Sequence, residues 1–485
     1  LNPVITSADD DAELFPQRSA DPLGLDVEQM RRLAHLVTDR VVDHWLGLRS
    51  GPAIAECKPA DLMSELGGPI PEVPGDVAAA IEVLIGSALP AMQHVGHPRY
   101  FARVPGPASF AAILGDWLST GFNAMASSWT GGSGPTTVEL VVVDWLRELI
   151  GLPPGTEGIL GSGGSAGNAT ALAVARTAGH DGIVYVSDQT HASIRRGLLS
   201  MGWNATAINV VPTVSDWRWS TAAVAAAIAS DRDRGLQPGI VVATAGTTNT
   251  GSVDPLNELA DLCATENLWL HVDGAYGAPA VLSDRGRVSL AGIERADSVT
   301  IDPHKWLFQP YDVSCVLVRQ PGLLEACFTM NPEYLRDVTA GIGEVDLRNR
   351  SLELSRRSRA LKIWLTFHAY GRQGLARAVD RSISMAERTQ TILGEDPEWE
   401  VITPAQLGVI TFARSKLAAA DHVARANALT ASGYAAISTT ELGGRTVFRL
   451  CLINPGTTED DVRSTLERLA SDHLQRAETT PDAAE

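Results

Sequence analysis

The stretch "GIVVATAGTTNTGSVDPLNELADLCATENLWLHVDGAY", Gly239 to Tyr276, sets two short apolar runs on either side of a segment with a different period. "IVVATAG" and "LWLHVDG" are short and apolar enough for buried strands. Between them, Leu256, Leu259, Leu262 and Cys263 recur at i, i+3, i+6 and i+7, a helical spacing. Strand, helix and strand in that order form a βαβ unit.

Working outward, "GIVYVSD", "SVTIDP" and "VSCVLVR" repeat the strand signature, and from about Arg103 to Gly374 such runs alternate with helical ones. The expected fold is α/β, with a mostly parallel central sheet in a large domain. Before it, "DVEQMRRLAHLVTDRVVDHWLG" carries Met30, Leu33, Leu36, Val37 and Val41 at helical spacing, and a proline-punctuated stretch follows. This helical arm either packs on another subunit or caps the chain's own core. After about Gly374 come helices and the strand-like runs "VITFAR" and "FRLCLI", then the polar tail "AETTPDAAE", expected to be disordered. The expected division is therefore 1–102 as arm and dimerisation segment, 103–374 as the large domain and 375–485 as a small α+β domain. A chain of 485 residues is longer than one hydrophobic core normally serves.

The charge balance narrows the partners. Lys+Arg number 39 against Asp+Glu 57, a net charge of −18, which argues against nucleic acid or an anionic membrane and for a small molecule. The five cysteines, Cys57, Cys263, Cys315, Cys327 and Cys451, show no CxxC spacing, so neither a disulfide framework nor a metal site is expected, and a reducing cytoplasm fits. The opening residues lack a signal-peptide pattern, and no apolar run approaches the roughly 18 residues of a membrane span.

Several polar residues fall at the carboxyl ends of the expected strands. His191 follows "GIVYVSD", Thr247 and Thr248 follow "IVVATAG", Asp273 closes "LWLHVD", and Asp302, His304 and Lys305 follow "SVTI". In an open α/β sheet those ends share the edge where ligands bind. The segment "GILGSGGSAGNATALAVARTAG", Gly158 to Gly179, adds a glycine-rich turn running into a strong helix former; it is either a phosphate cradle at a helix N-terminus or only a tight connection. Taken singly, Asp273 also reads as a turn residue and Lys305 as a surface lysine. Pyridoxal phosphate is the ligand that needs all three together: a lysine to hold its aldehyde as a Schiff base, a carboxylate for its ring nitrogen and a cradle for its phosphate.

"SVTIDPHKWLFQPYDVSCVLV", "LWLHVDGAYGAPA", "VSDQTHASIRRG", "HPRYFARVPGPAS" and "SRRSRALKIWLTFHAYGRQGL" together resemble the pyridoxal-phosphate-dependent group II amino acid decarboxylases, the family of aromatic L-amino acid decarboxylase, from about Asp26 to Leu469. The resemblance implies a fold-type I homodimer with active sites near the subunit interface. It implies that Lys305 bonds the cofactor aldehyde, Asp273 pairs with the ring nitrogen, Ala275 packs on the ring and His191 lies over its face. Gly164 and Ser165 are then phosphate donors, Thr248 lines the site and His304 orders the lysine. Tyr334, in "NPEYLRD", corresponds to the loop tyrosine that protonates the substrate carbon.

The implied reaction is decarboxylation of an L-amino acid, aromatic by family default, with a bulky or polar non-standard one as the alternative. Oxidative deamination to an aldehyde and β-elimination are rivals at the same site; an inert scaffold is disfavoured by Lys305, Asp273, His191 and Tyr334 together. The chain departs from the family pattern at Arg103, Val104 and Gly106, at Ser127 and the run Gly132, Ser133, Gly134, and at Asp302. Those departures suggest a wider, more polar substrate pocket.

Overall fold

The computed structural model describes residues 23–330, 333, 341 and 343–471. The chain divides into two compact units, residues 1–94 and 95–485.

The first unit, as far as it is described, is helical. Helix Val27–Gly47 opens with a capping box, the Gln29 N–H donating to Asp26 Oδ1 at 2.7 Å while the Asp26 N–H donates to Gln29 Oε1. Arg40 bonds Glu82 at 2.8 Å, joining this helix to Val77–Val83. None of the helices Val27–Gly47, Pro59–Leu66 and Val77–Val83 buries a residue, and Met30, Trp45, Leu46 and Met63 lie open.

The second unit holds two sheets. The larger comprises β1 (Glu157–Gly161), β2 (Ile183–Ser187), β3 (Ile208–Val211), β4 (Pro238–Thr244), β5 (Trp269–Asp273), β6 (Ser298–Ile301) and β7 (Ser314–Val318), in the order β1-β7-β6-β5-β4-β2-β3. The strands from β3 to β6 pair in parallel, while β7 runs antiparallel to both of its neighbours. Strands β2, β4, β5, β6 and β7 are buried along their whole length, which is why they read as continuous apolar runs rather than as alternation. Helix Leu256–Glu266 joins β4 to β5, completing the unit from which the fold was read.

Two strands go beyond the sequence reading. β1 precedes the glycine-rich loop where the sequence pattern showed none, and β3 is a four-residue strand at the sheet's margin. The smaller sheet is antiparallel throughout: β8 (Trp399–Gln406), β9 (Val409–Arg414), β10 (Ser438–Leu442) and β11 (Arg445–Cys451), in the order β10-β11-β9-β8. Phe412, Phe448 and Leu450 build its core. Helix Ala360–Leu393 packs on helix Phe110–Gly121 and on β8, and its backbone breaks at Gly371.

One fully buried ion pair locks the layer beneath β1. Arg356 bonds Glu139 at 2.6 Å and donates to the carbonyls of Ala126 and Leu160; Glu139 in turn accepts from the Leu160 N–H at 3.0 Å. Both side chains are wholly excluded from solvent. Deleting one partner leaves the other charge buried and unpaired, so Arg356→Met is expected to cost about 3–5 kcal/mol of stability. Thermal and urea melts of the purified protein measure it; a loss below about 1 kcal/mol, the level of a surface pair, would contradict the assignment. Among the described residues no helix is long and apolar enough to cross a membrane.

Candidate active site

The carboxyl edge of the large sheet opens into a cavity of about 450 Å³, the size of a small-ligand site. Lys305, Asp273, Ala275, His191, Gly164, Ser165, Thr248 and His304 all line it, together with Asn168, Ser193, Tyr276, Asp302 and Tyr311. Tyr334 lies outside the described residues.

Lys305 gets there because β6 ends at Ile301 and Pro303 starts a single helical turn, Pro303–Trp306, with the ring at the position where its missing N–H costs nothing. Trp306 beside it is fully buried and stacks on Tyr276 with ring centroids 5.4 Å apart, which anchors the turn. The Lys305 ammonium reaches Asp302 Oδ2 at 2.9 Å. Burial works against its charge, but Asp302, by charge and by hydrogen bond, and Asp273 beyond it together hold Lys305 above the usual lysine range. His304 donates from Nδ1 to the Val313 carbonyl at 2.7 Å, and its ring tilts over Tyr311 at 4.7 Å. Burial keeps this imidazole below the usual histidine range despite Asp302 nearby.

Asp273 closes β5, one strand over. Its carboxylate is 5% exposed and accepts from Asn168 Nδ2 at 2.9 Å and from the Ala275 N–H at 3.2 Å. His191 caps helix Ala192–Ser200, and its Nδ1 meets Ser193 Oγ at 2.8 Å. Thr248 follows β4; its carbonyl accepts from Arg449 Nε at 2.7 Å, and the same guanidinium holds the Arg103 carbonyl.

The glycine loop after β1 leads into helix Gly164–Thr177. Gly163 has φ 155°, a conformation that disfavours side chains, and its N–H is held by Ser314 Oγ at 3.1 Å. A Cβ on Gly164 would stand 2.7 Å from Asp302 Oδ2 and 3.1 Å from the Ala275 side chain, so the cavity needs glycine there. Gly164 and Ser165 open a 14-residue helix, where N–H groups lack helical acceptors and the dipole is positive, conditions that suit a phosphate. Asp302 Oδ1 is buried without a hydrogen-bond partner among the described residues. An amine, a buried carboxylate on the neighbouring strand and a helix N-terminus in one cavity fit pyridoxal phosphate.

The sites of family departure divide. Asp302 faces the cavity as the partner of Lys305. Gly106 packs so closely that a Cβ would lie 1.9 Å from the His304 carbonyl oxygen, which leaves no room for a hydroxyl-bearing side chain. Ser127 is outside the cavity lining: it accepts from the Arg356 N–H at 2.7 Å and is 5% exposed. Asn168, Ser193, Tyr276 and Tyr311 escaped the sequence reading; Asn168 and Ser193 sit inside the motif segments, and only their contacts with Asp273 and His191 reveal them.

Sheet and cavity define a fold-type I enzyme that uses pyridoxal phosphate. Residues 59–415 match the family model described as the pyridoxal-dependent decarboxylase conserved domain. The chain belongs to this family and is a pyridoxal-phosphate-dependent amino acid decarboxylase. It is 43% identical to an aromatic-L-amino-acid decarboxylase of Bacillus atrophaeus, over 91% of this chain and 95% of that protein. The crystal structure of Oryza sativa TDC with PLP and tryptamine superposes with a TM-score of 0.87 at 28% identity, covering 93% of this chain and 98% of that one. That of Rhodiola rosea 4-hydroxyphenylacetaldehyde synthase gives 0.85 at 25% identity, covering 94% and 100%.

Proposed function

We propose that the chain converts an aromatic L-amino acid to its amine and carbon dioxide. The similarity to the Bacillus atrophaeus aromatic-L-amino-acid decarboxylase over nearly the full length of both chains carries this reading. The rival is release of an aldehyde, the kind of product named for the Rhodiola rosea neighbour. His191 at the cavity supports the amine, because a positioned proton donor shortens the life of the carbanionic state.

In the proposed mechanism Lys305, paired with Asp302 at 2.9 Å, would hold the cofactor through its aldehyde until the substrate amine takes its place. Gly164 and Ser165 would hold the phosphate with backbone N–H groups, and Thr248 and Ala275 would confine the ring. Asp273 would keep the ring nitrogen protonated. The bound cofactor supplies an electron sink for the pair released when the bond from Cα to the carboxylate breaks. His191 at the cavity, with Tyr334 proposed from the sequence resemblance alone, would help return a proton to Cα. His304, anchored on the Val313 carbonyl, orders Lys305.

We also propose a cytoplasmic homodimer in which the segments 1–102, 103–374 and 375–485 act as arm, cofactor domain and small domain. Leu114 and Leu118, exposed on helix Phe110–Gly121, with Phe122 at its C-cap, support the association, and free cysteines support the reducing compartment.

Mass spectrometry of products from a panel of L-amino acids, in air and without oxygen, tests the reaction. The expected result is an amine from an aromatic substrate in both atmospheres. An aldehyde with peroxide, formed only in air, would replace this reading with the oxidative one.

A further inference from the structure

A run of hydrogen bonds with one possible direction ends at the two groups that face the cofactor. Trp269 Nε1 can only donate, and it meets Ser298 Oγ at 2.9 Å. Ser298 Oγ also meets His271 Nδ1 at 2.9 Å, and His271 Nε2 meets Asn168 Oδ1 at 3.1 Å. At the far end the Asp273 carboxylate can only accept, so Asn168 must present its NH₂ there and its oxygen to His271. His271 therefore carries its proton on Nε2 and accepts on Nδ1 from the Ser298 hydroxyl, whose oxygen accepts from Trp269. Complete burial holds His271 down at about 4, so the ring stays neutral and the direction is kept.

The second NH₂ hydrogen of Asn168 goes to Ser193 Oγ at 3.0 Å. Ser193 accepts there, so its hydroxyl hydrogen is free to go to His191 Nδ1 at 2.8 Å, and the Ser193 N–H is aimed at the same nitrogen at 3.2 Å. Two donors on Nδ1 leave Nε2 as the place for the ring hydrogen.

We propose that Asn168 is a positioning residue that fixes Asp273 as the partner of the ring nitrogen and, through Ser193, fixes His191 as an Nε2–H donor. This rests on the decarboxylase reading and deepens it. Decarboxylation needs a proton delivered to Cα, whereas β-elimination needs one removed from it, and a ring fixed as a donor serves the first. As a donor, Nε2–H would hold a water that passes a proton to the carbon that has lost carbon dioxide; the released pair forms the new C–H bond, and the hydroxide left behind takes a proton from solvent.

Asn168→Asp is nearly isosteric but cannot donate to Asp273, and it sets a second carboxylate beside the first. The cofactor-loaded protein without substrate should then shift the pH midpoint of its visible absorbance by about one unit or more. Ser193→Ala removes the hydroxyl arm to His191 and leaves on Nδ1 only the longer 3.2 Å contact from the backbone N–H; its midpoint should match the wild type, while the ratio of aldehyde or keto product to amine rises about tenfold or more. Asn168→Asp should show both changes. A part in packing alone would lower yield and rate but move neither readout. Cofactor-loaded Ser193→Ala with the wild-type product ratio, or cofactor-loaded Asn168→Asp with the wild-type midpoint, overturns the proposal. If Asn168→Asp fails to fold, Ser193→Ala still decides it. Should the wild type release no amine from any substrate, the decarboxylase reading fails, and the substrate-free midpoint still tests Asn168.

Discussion

Lys305→Ala is expected to remove the visible absorbance of the lysine-bound cofactor and to lower turnover by roughly 10⁴-fold or more, the scale on which enzymes lose a covalent group. The fold should survive. Lys305 is held by one ion pair to Asp302, and the turn that carries it is anchored instead by Trp306 stacked on Tyr276. Alanine would leave Asp302 without its cation, so a modest loss of stability should accompany the loss of activity. Circular dichroism separates a folded inactive protein from an unfolded one. Turnover within tenfold of the wild type would remove Lys305 from the reaction.

Asp273→Asn should lower turnover by roughly 10³-fold with little change in shape, because what is lost is a charge in a buried site. The substituted amide meets the Asn168 NH₂ at the position where a carboxylate now accepts at 2.9 Å, so one of the two must turn or lose its bond. Cofactor affinity should fall as well, and the absorbance should respond to pH differently, since nothing then keeps the ring nitrogen protonated. Equilibrium dialysis and a spectrophotometric pH titration read the two effects. A variant that kept wild-type turnover would show that the buried carboxylate on β5 does not serve the ring.

What was legible in the sequence follows from what a one-dimensional pattern carries. The strands β2, β4, β5, β6 and β7 are continuous apolar runs because both faces are covered, and the helix between β4 and β5 declares itself by a different period. β1 is masked because "EGILG" holds two glycines and leads straight into a glycine-rich turn; β3 is masked because four residues are too few for a period to emerge. No period tells a strand its direction, so the reversal of β7 was invisible. At the site, Lys305, Asp273 and His191 follow strands and could be read, whereas Asn168 and His271 are tied to Asp273 only by a chain of side-chain hydrogen bonds and have no local signature. Ser127 misled for the complementary reason: similarity along the chain fixes where a residue falls in a motif, but its hydrogen bond to the backbone of Arg356 takes it out of the cavity wall.

The reversed strand has a consequence for distance. β1 and β6 both pair antiparallel with β7, so they point the same way and deliver the glycine loop and Lys305 to one edge with a strand's width between them. At about 4.8 Å per strand that separation is near 10 Å, and Asp273 on β5 falls one step further along. The edge is a ruler, and the ligand's length is written in strand spacings. β7 sets the scale without itself lining the cavity, and Ser314 at its start pins the glycine loop to the mark. A slip of one residue along β7 would turn its side chains to the opposite faces and displace that mark by about 3.3 Å. A strand outside the cavity lining thus sets the spacing of the groups that line it.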